Sequence, residues 1–140
     1  AKVAANLIKP DLAIAVDVGV AYDVPGMTSE KNEGKLGDGP LAILMDATSI
    51  AHDGLRKHIK DVAEHHNIPI QWATTPGGGT DAGSIHVANE GIPTITIGVP
   101  LRYMHSNVSV LNIDDYTNSV RLITEIVRSL NDDSYQALMW

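Results

Sequence analysis

The chain has 140 residues, 44% hydrophobic, with a formal net charge of -7 and no cysteine. That is enough for one domain with a core, and no apolar run approaches the roughly 18–20 residues of a membrane span. The ten Lys and Arg are scattered, which excludes a nucleic-acid or anionic-membrane surface, and the missing Cys excludes disulfides and thiolate metal sites and agrees with a cytoplasmic protein.

Residues 1–9 read as a short helix without an N-cap, and they show no signal-peptide pattern. The chain starts with Ala1 rather than Met, as a trimmed or partial sequence would. Residues 11–18 form an apolar run fit for a buried strand, and Asp23-Val24-Pro25-Gly26 is a turn. Residues 27–40 are polar and glycine-punctuated, hence loop, and 41–45 form a second strand. Residues 53–66 place Leu55, Ile59, Val62, Ala63 and His66 on one helical face, with Asn67 at C′ and Pro69 beyond. A third strand spans 68–73, a glycine loop 76–79, a short helix 82–90 and a fourth strand 94–99. Asp114 is the expected cap of a last helix with Tyr116, Val120, Ile123, Val127 and Leu130 as its apolar stripe. The tail from Asn131 carries no clear pattern, although Tyr135, Leu138, Met139 and Trp140 could pack on a neighbouring surface. Strands alternating with helices predict an α/β layer structure with a mostly parallel sheet and flanking helices.

Ligands of such sheets gather beyond the carboxyl ends of strands, and Asp17, Asp81 and His105 fall there. Asp17 interrupts the apolar run Ala13–Val18, where a buried carboxylate must be paired, hydrogen-bonded or bound to a cation. It also reads as a capping or salt-bridged residue at a strand end. The loop Gly77-Gly78-Gly79-Thr80-Asp81-Ala82-Gly83 lacks the Lys-Ser/Thr ending of a phosphate loop and the spaced glycines of a dinucleotide site. Thr80 or Asp81 can simply cap the helix that follows. His105 stands in a polar stretch after a strand, as a metal ligand or as a surface residue. His58, His65 and His66 share one helix and read as surface residues, while His52 and His86 have no ligand spacing.

Four stretches together resemble the tetrahedral, or glutamyl (deblocking), aminopeptidase family, some members of which carry an older endoglucanase label. They are Ala13–Val18 through Asp23-Val24-Pro25-Gly26; Lys35-Leu36-Gly37-Asp38-Gly39-Pro40; Gly78-Gly79-Thr80-Asp81-Ala82-Gly83-Ser84-Ile85-His86; and Arg102-Tyr103-Met104-His105-Ser106. The resemblance implies part of a three-layer zinc-peptidase core, with residues 1–140 as its C-terminal portion and the N-terminal catalytic part and dimerisation domain outside it. It implies two divalent ions (Zn, Co or Mn), one held by Asp17 and the other by His105, with Gly79, Thr80 and Asp81 shaping the substrate pocket. The general-base Glu is expected upstream of Ala1, so the chain alone is expected to be inactive. Peptides are the implied substrates and a homo-oligomer such as a dodecamer the implied assembly. The competing readings are a glycosidase using Asp17 and Asp81 without metal, and a non-catalytic assembly module.

Overall fold

The computed structural model describes residues 1–27 and 34–139. The elements run α1 (Lys2–Ile8), β1 (Ala13–Val20), β2 (Leu41–Asp46), α2 (Asp53–His65), β3 (Gln71–Thr75), α3 (Ala82–Ile85), β4 (Thr94–Leu101), α4 (Ile113–Ser129) and α5 (Asp132–Leu138). The strands form one sheet in the order β1-β4-β2-β3. β1 lies parallel to β4 and β2 parallel to β3, while β2 and β4 run antiparallel. The sheet is therefore mostly parallel, with helices flanking it.

Strand register divides the side chains between two faces, because successive residues alternate. Ile95 and Ile97 of β4 and Ala42 of β2 point to one face, where Leu55, Ile59 and Val62 of α2 and Leu122 and Ile126 of α4 complete the main core. On the opposite face Leu41, Ile43 and Ala73 form a second cluster, and Ala5, Ala88 and Ile92 close over Ala13 and Ile85. Asp17 pairs in register with Gly98, and Ala15 with Thr96, so both positions lie on this second face.

Helix α2 buries Leu55, Ile59, Val62 and Ala63 as its spacing predicts, whereas His66 is half-buried at the helix end. Asn67 takes a φ of 52° there. Ile68 is held by its own N–H on Ala63 O and sits in the core. This is why β3 begins at Gln71, three residues later than its apolar run suggests. Helix α3 stops at Ile85 rather than reaching 90, and the chain then turns through Asn89, at a left-handed φ of 53°, whose side chain donates to Ala5 O. His58 is also more than a surface residue: its ring meets Ser129 Oγ at 2.8 Å, and burial holds its pKa below the ordinary histidine value.

Helix α4 departs most from its pattern. Its N-cap is Asn112, whose side chain accepts from Asp114 N, and its buried residues are Asp115, Ser119, Leu122 and Ile126. Tyr116, Val120 and Val127 of the expected stripe are exposed, and Ile123 packs at the margin. The tail forms α5 behind a capping box of Asn131 and Ser134, and Leu138 enters the main core.

Among the described residues β1 is an edge strand, with Val16 62% and Val18 37% exposed. An exposed apolar edge offers unpaired backbone groups to another strand. The chain is therefore expected to self-associate as its concentration rises, which sedimentation velocity reads directly. A clean monomer throughout would count against it. Among the described residues no helix is long and apolar enough to cross a membrane.

Candidate functional site

Because β2 and β4 are antiparallel, the carboxyl ends of β1 and β4 lie at one end of the sheet and those of β2 and β3 at the other. Asp17 stands within β1, not at its end, and His105 follows β4 in the loop at the carboxyl end of both strands. The two thus belong to neighbouring parallel strands, with Asp17 three residues short of the end of β1. Asp17 is exposed rather than buried. Its Oδ1 accepts from Val18 N at 2.8 Å, and among the described residues Oδ2 and the His105 ring have no hydrogen-bond partner. The neighbour of Asp17 on β4 is Gly98, so no side chain crowds the carboxylate from that strand.

The His105 loop is conformationally unusual. Tyr103 and His105 have φ of 61° and 64°, a left-handed state costing about 1–3 kcal/mol for a non-glycine residue and found mostly where structure over-determines it. Arg102 and Val110 close the loop with a two-way backbone pair of 2.9 and 3.1 Å. Inside it, Ser106 Oγ lies 2.6 Å from the carbonyl oxygens of both Tyr103 and Val108, and Ser109 Oγ donates to Tyr103 O. From outside, the Arg102 guanidinium grips Asp23, with Nε on Oδ1 at 3.0 Å and Nη2 on Oδ2. Asp23 Oδ2 also accepts from Leu36 N. The Arg102 contact is the main reason the Asp23 carboxyl stays below its usual pKa.

The glycine loop leaves β3 at the far end of the sheet and folds back over the face that carries Asp17. Thr80 donates its N–H and its hydroxyl to Asp46 Oδ2, at 3.0 and 2.8 Å, and the hydroxyl also meets Thr96 Oγ1 at 2.8 Å. Thr96 precedes Gly98, the register partner of Asp17, by two residues on the same face, about 7 Å along the strand. The Thr80 side chain is thus turned into the protein, while Gly79 and Asp81 are exposed. Asp81 makes no capping hydrogen bond at α3.

Asp46, at the end of β2, has no counterpart among the sequence candidates. It is 5% exposed. Its Oδ1 accepts from Thr48 N, Thr48 Oγ1 and Ser49 N, while Oδ2 serves Thr80. Burial pushes its pKa up, but the Thr48 N–H and the Thr80 and Thr48 hydroxyls outweigh that and bring it to about 2. The only sequence signal was an Asp ending a strand beside Thr48 and Ser49.

A carboxylate and an imidazole without sulfur suit a borderline or hard divalent cation. Among the described residues no cluster of three or more His, Asp or Glu forms. Asp17 and His105 thus fit such an ion as part of a donor set and fall short of the three or four protein donors usual for zinc.

The sequence profile described as M42 glutamyl aminopeptidase matches residues 1–122. The glutamyl aminopeptidase of Lactococcus lactis subsp. cremoris is 38% identical over 133 residues, which cover 95% of this chain and 36% of that protein. The crystal structure of a TET aminopeptidase from the marine sediment archaeon Thaumarchaeota archaeon SCGC AB-539-E09 superposes with a TM-score of 0.92 at 34% identity, over 98% of this chain and 38% of that one. The TET1 peptidase of Pyrococcus horikoshii, which can assemble into a tetrahedron or a large octahedral shell, superposes with a TM-score of 0.74 at 30% identity, over 92% of this chain and 36% of that one. The chain spans less than two fifths of the length of these relatives.

Proposed function

The chain belongs to the M42 glutamyl aminopeptidase family, and from that premise we propose that it forms the C-terminal part of the catalytic unit of a metal-dependent aminopeptidase. The substrates are peptides, shortened from their N-termini. The observation that carries this reading is the placement of Asp17 and His105. Asp17 lies within β1 and His105 in the loop that follows β4, the strand hydrogen-bonded in parallel to β1, and both are solvent-exposed.

Asp17 and His105 each hold one of two divalent ions, Zn, Co or Mn. Bound there, the ions supply Lewis-acid polarisation of the scissile carbonyl and a more acidic water. Asp17 contributes its unengaged Oδ2 and negative charge, and His105 a neutral imidazole nitrogen. Neither moves a proton. The general base and the remaining donors come from a part of the protein upstream of Ala1. Gly79 and Asp81 shape the substrate pocket, and Thr80 holds their loop down through its hydroxyl contacts with Asp46 and Thr96. A homo-oligomer is the assembly proposed, as in the P. horikoshii relative, and the cytoplasm the proposed location.

The test uses the enzyme assembled with its upstream catalytic part, alongside the 140-residue chain alone. Asp17→Asn and His105→Ala are each expected to cost one bound ion. Each should also lower kcat by more than about 100-fold, beyond the 10- to 100-fold typical of groups that only support a ligand. The lone chain is expected to show no peptidase turnover and to bind zinc more weakly than micromolar in calorimetry. Variants that keep both ions and full turnover would overturn the assignment, as would tight stoichiometric zinc binding by the lone chain.

A further inference from the structure

The ion pair between Asp23 and Arg102 spans two of the motif stretches, and its position suggests more than added stability. Arg102 opens the loop that carries His105. Asp23 stands three residues beyond Val20, the last residue of the strand that carries Asp17. Among the described residues, the only side-chain hydrogen bonds from loop 102–110 to another part of the chain are those from Arg102 to Asp23. The Ser106 and Ser109 hydroxyls shape the loop internally but do not orient it against β1.

We propose that Asp23 is a positioning residue for His105, acting through Arg102 to set the separation between the His105 imidazole and the Asp17 carboxylate. This rests on the reading of those two residues as metal donors. The guanidinium suits the task because its planar fork engages both carboxylate oxygens and so fixes direction as well as distance; an ammonium would fix only distance. Leu36 N, on Asp23 Oδ2, steadies the carboxylate from a third side. The left-handed Tyr103 and His105 make such an outside hold necessary, since a loop strained at two residues has lower-energy shapes available once released.

The test compares Asp23→Asn, Asp23→Glu, Arg102→Lys and His105→Ala in the assembled enzyme. Asp23→Asn is expected to weaken binding of one ion by about 10- to 100-fold and to lower kcat by a similar factor, with KM within about twofold. Arg102→Lys, which keeps the charge and loses the fork, should move both in the same direction by less, and Asp23→Glu should recover part of the loss. Amide hydrogen exchange should quicken at residues 103–106 while Ile95 and Ile97 in β4 stay protected. If Asp23→Asn and Arg102→Lys lower only the melting temperature and leave ion affinity and kcat at wild-type values, the positioning role is wrong, and the pair is structural. If His105→Ala retains both ions at full affinity, the underlying metal reading falls and this inference with it. Should Asp23→Asn fail to fold, Arg102→Lys and Asp23→Glu decide by the same two readouts.

Discussion

Replacing Asp46 with alanine is expected to destabilise the fold by about 3–5 kcal/mol, since the backbone N–H groups of Thr48, Ser49 and Thr80 lose their acceptor at about 1–3 kcal/mol each, less where water reaches them. Chemical denaturation measures it, and a loss under about 1 kcal/mol would show that water replaces the carboxylate without penalty. The acid limb of stability gives an independent reading. The Asp46 carboxyl falls from an ordinary 3.8 to about 2 in the fold. A depressed folded-state pKa stabilises above the unfolded value, so this contribution is complete above about pH 4 and is lost as the pH falls toward 2. At about 1.4 kcal/mol per unit it amounts to about 2 kcal/mol. Asp53 also titrates near 2, held there by Lys57 and then Arg56, but it is present in both proteins. The difference between wild type and Asp46→Asn across that window therefore belongs to Asp46. The same variant should loosen the glycine loop, because Thr80 is tied to the sheet through this carboxylate and Thr96.

The residues show why some of this was legible in the sequence. α2 was readable because its buried positions are all apolar and its end carries an Asn at positive φ. α4 was not, although its pattern is as regular. Tyr116, Val120, Ile123 and Val127 repeat as a core stripe should, yet the helix is turned so that the preceding residues, Asp115, Ser119, Leu122 and Ile126, face inward. Burying Asp115 costs little because loop N–H groups receive it, and Ser119 satisfies its hydroxyl on the Asp115 carbonyl. Hydrophobic periodicity cannot register partners that lie more than 70 residues away in the chain. At the site, Asp17 was conspicuous as a charge in an apolar strand, but the inferred burial was mistaken: β1 is an edge strand, so Val16 and Val18 beside it are open as well. Asp46 and the Asp23–Arg102 pair escaped notice because their roles depend on partners brought together only by folding. The direction of β2 was invisible too, since nothing local distinguishes a strand running against β4 from one running with it.

Asp115→Ala is expected to produce the second large loss, again about 3–5 kcal/mol, through a different part of the molecule. Asp115 is 1% exposed, and its two oxygens accept from Gly37 N at 2.7 Å and Gly39 N at 2.8 Å. These glycines stand at φ of 90° and 96°, and a Cβ at Gly39 would meet Pro69 O at 2.5 Å. The loop is therefore packed closely against Pro69 at Gly39, and its N–H groups would be stranded against a truncated side chain. Gln71 shares the hold, donating Nε2 to Lys35 O and Gly39 O and accepting from Lys35 N, so the loop loosens at its centre before it detaches. Asp115→Asn separates charge from shape. The amide keeps one acceptor oxygen but turns an NH2 toward the second backbone N–H, a donor facing a donor, and should cost about 1–3 kcal/mol. Urea denaturation of both variants, with exchange rates at Gly37 and Gly39, tests the assignment. Equal stability of Asp115→Asn and wild type would mean that one hydrogen bond suffices. Wild-type stability in Asp115→Ala would mean that apolar contacts of α4, not this carboxylate, decide which of its faces is buried.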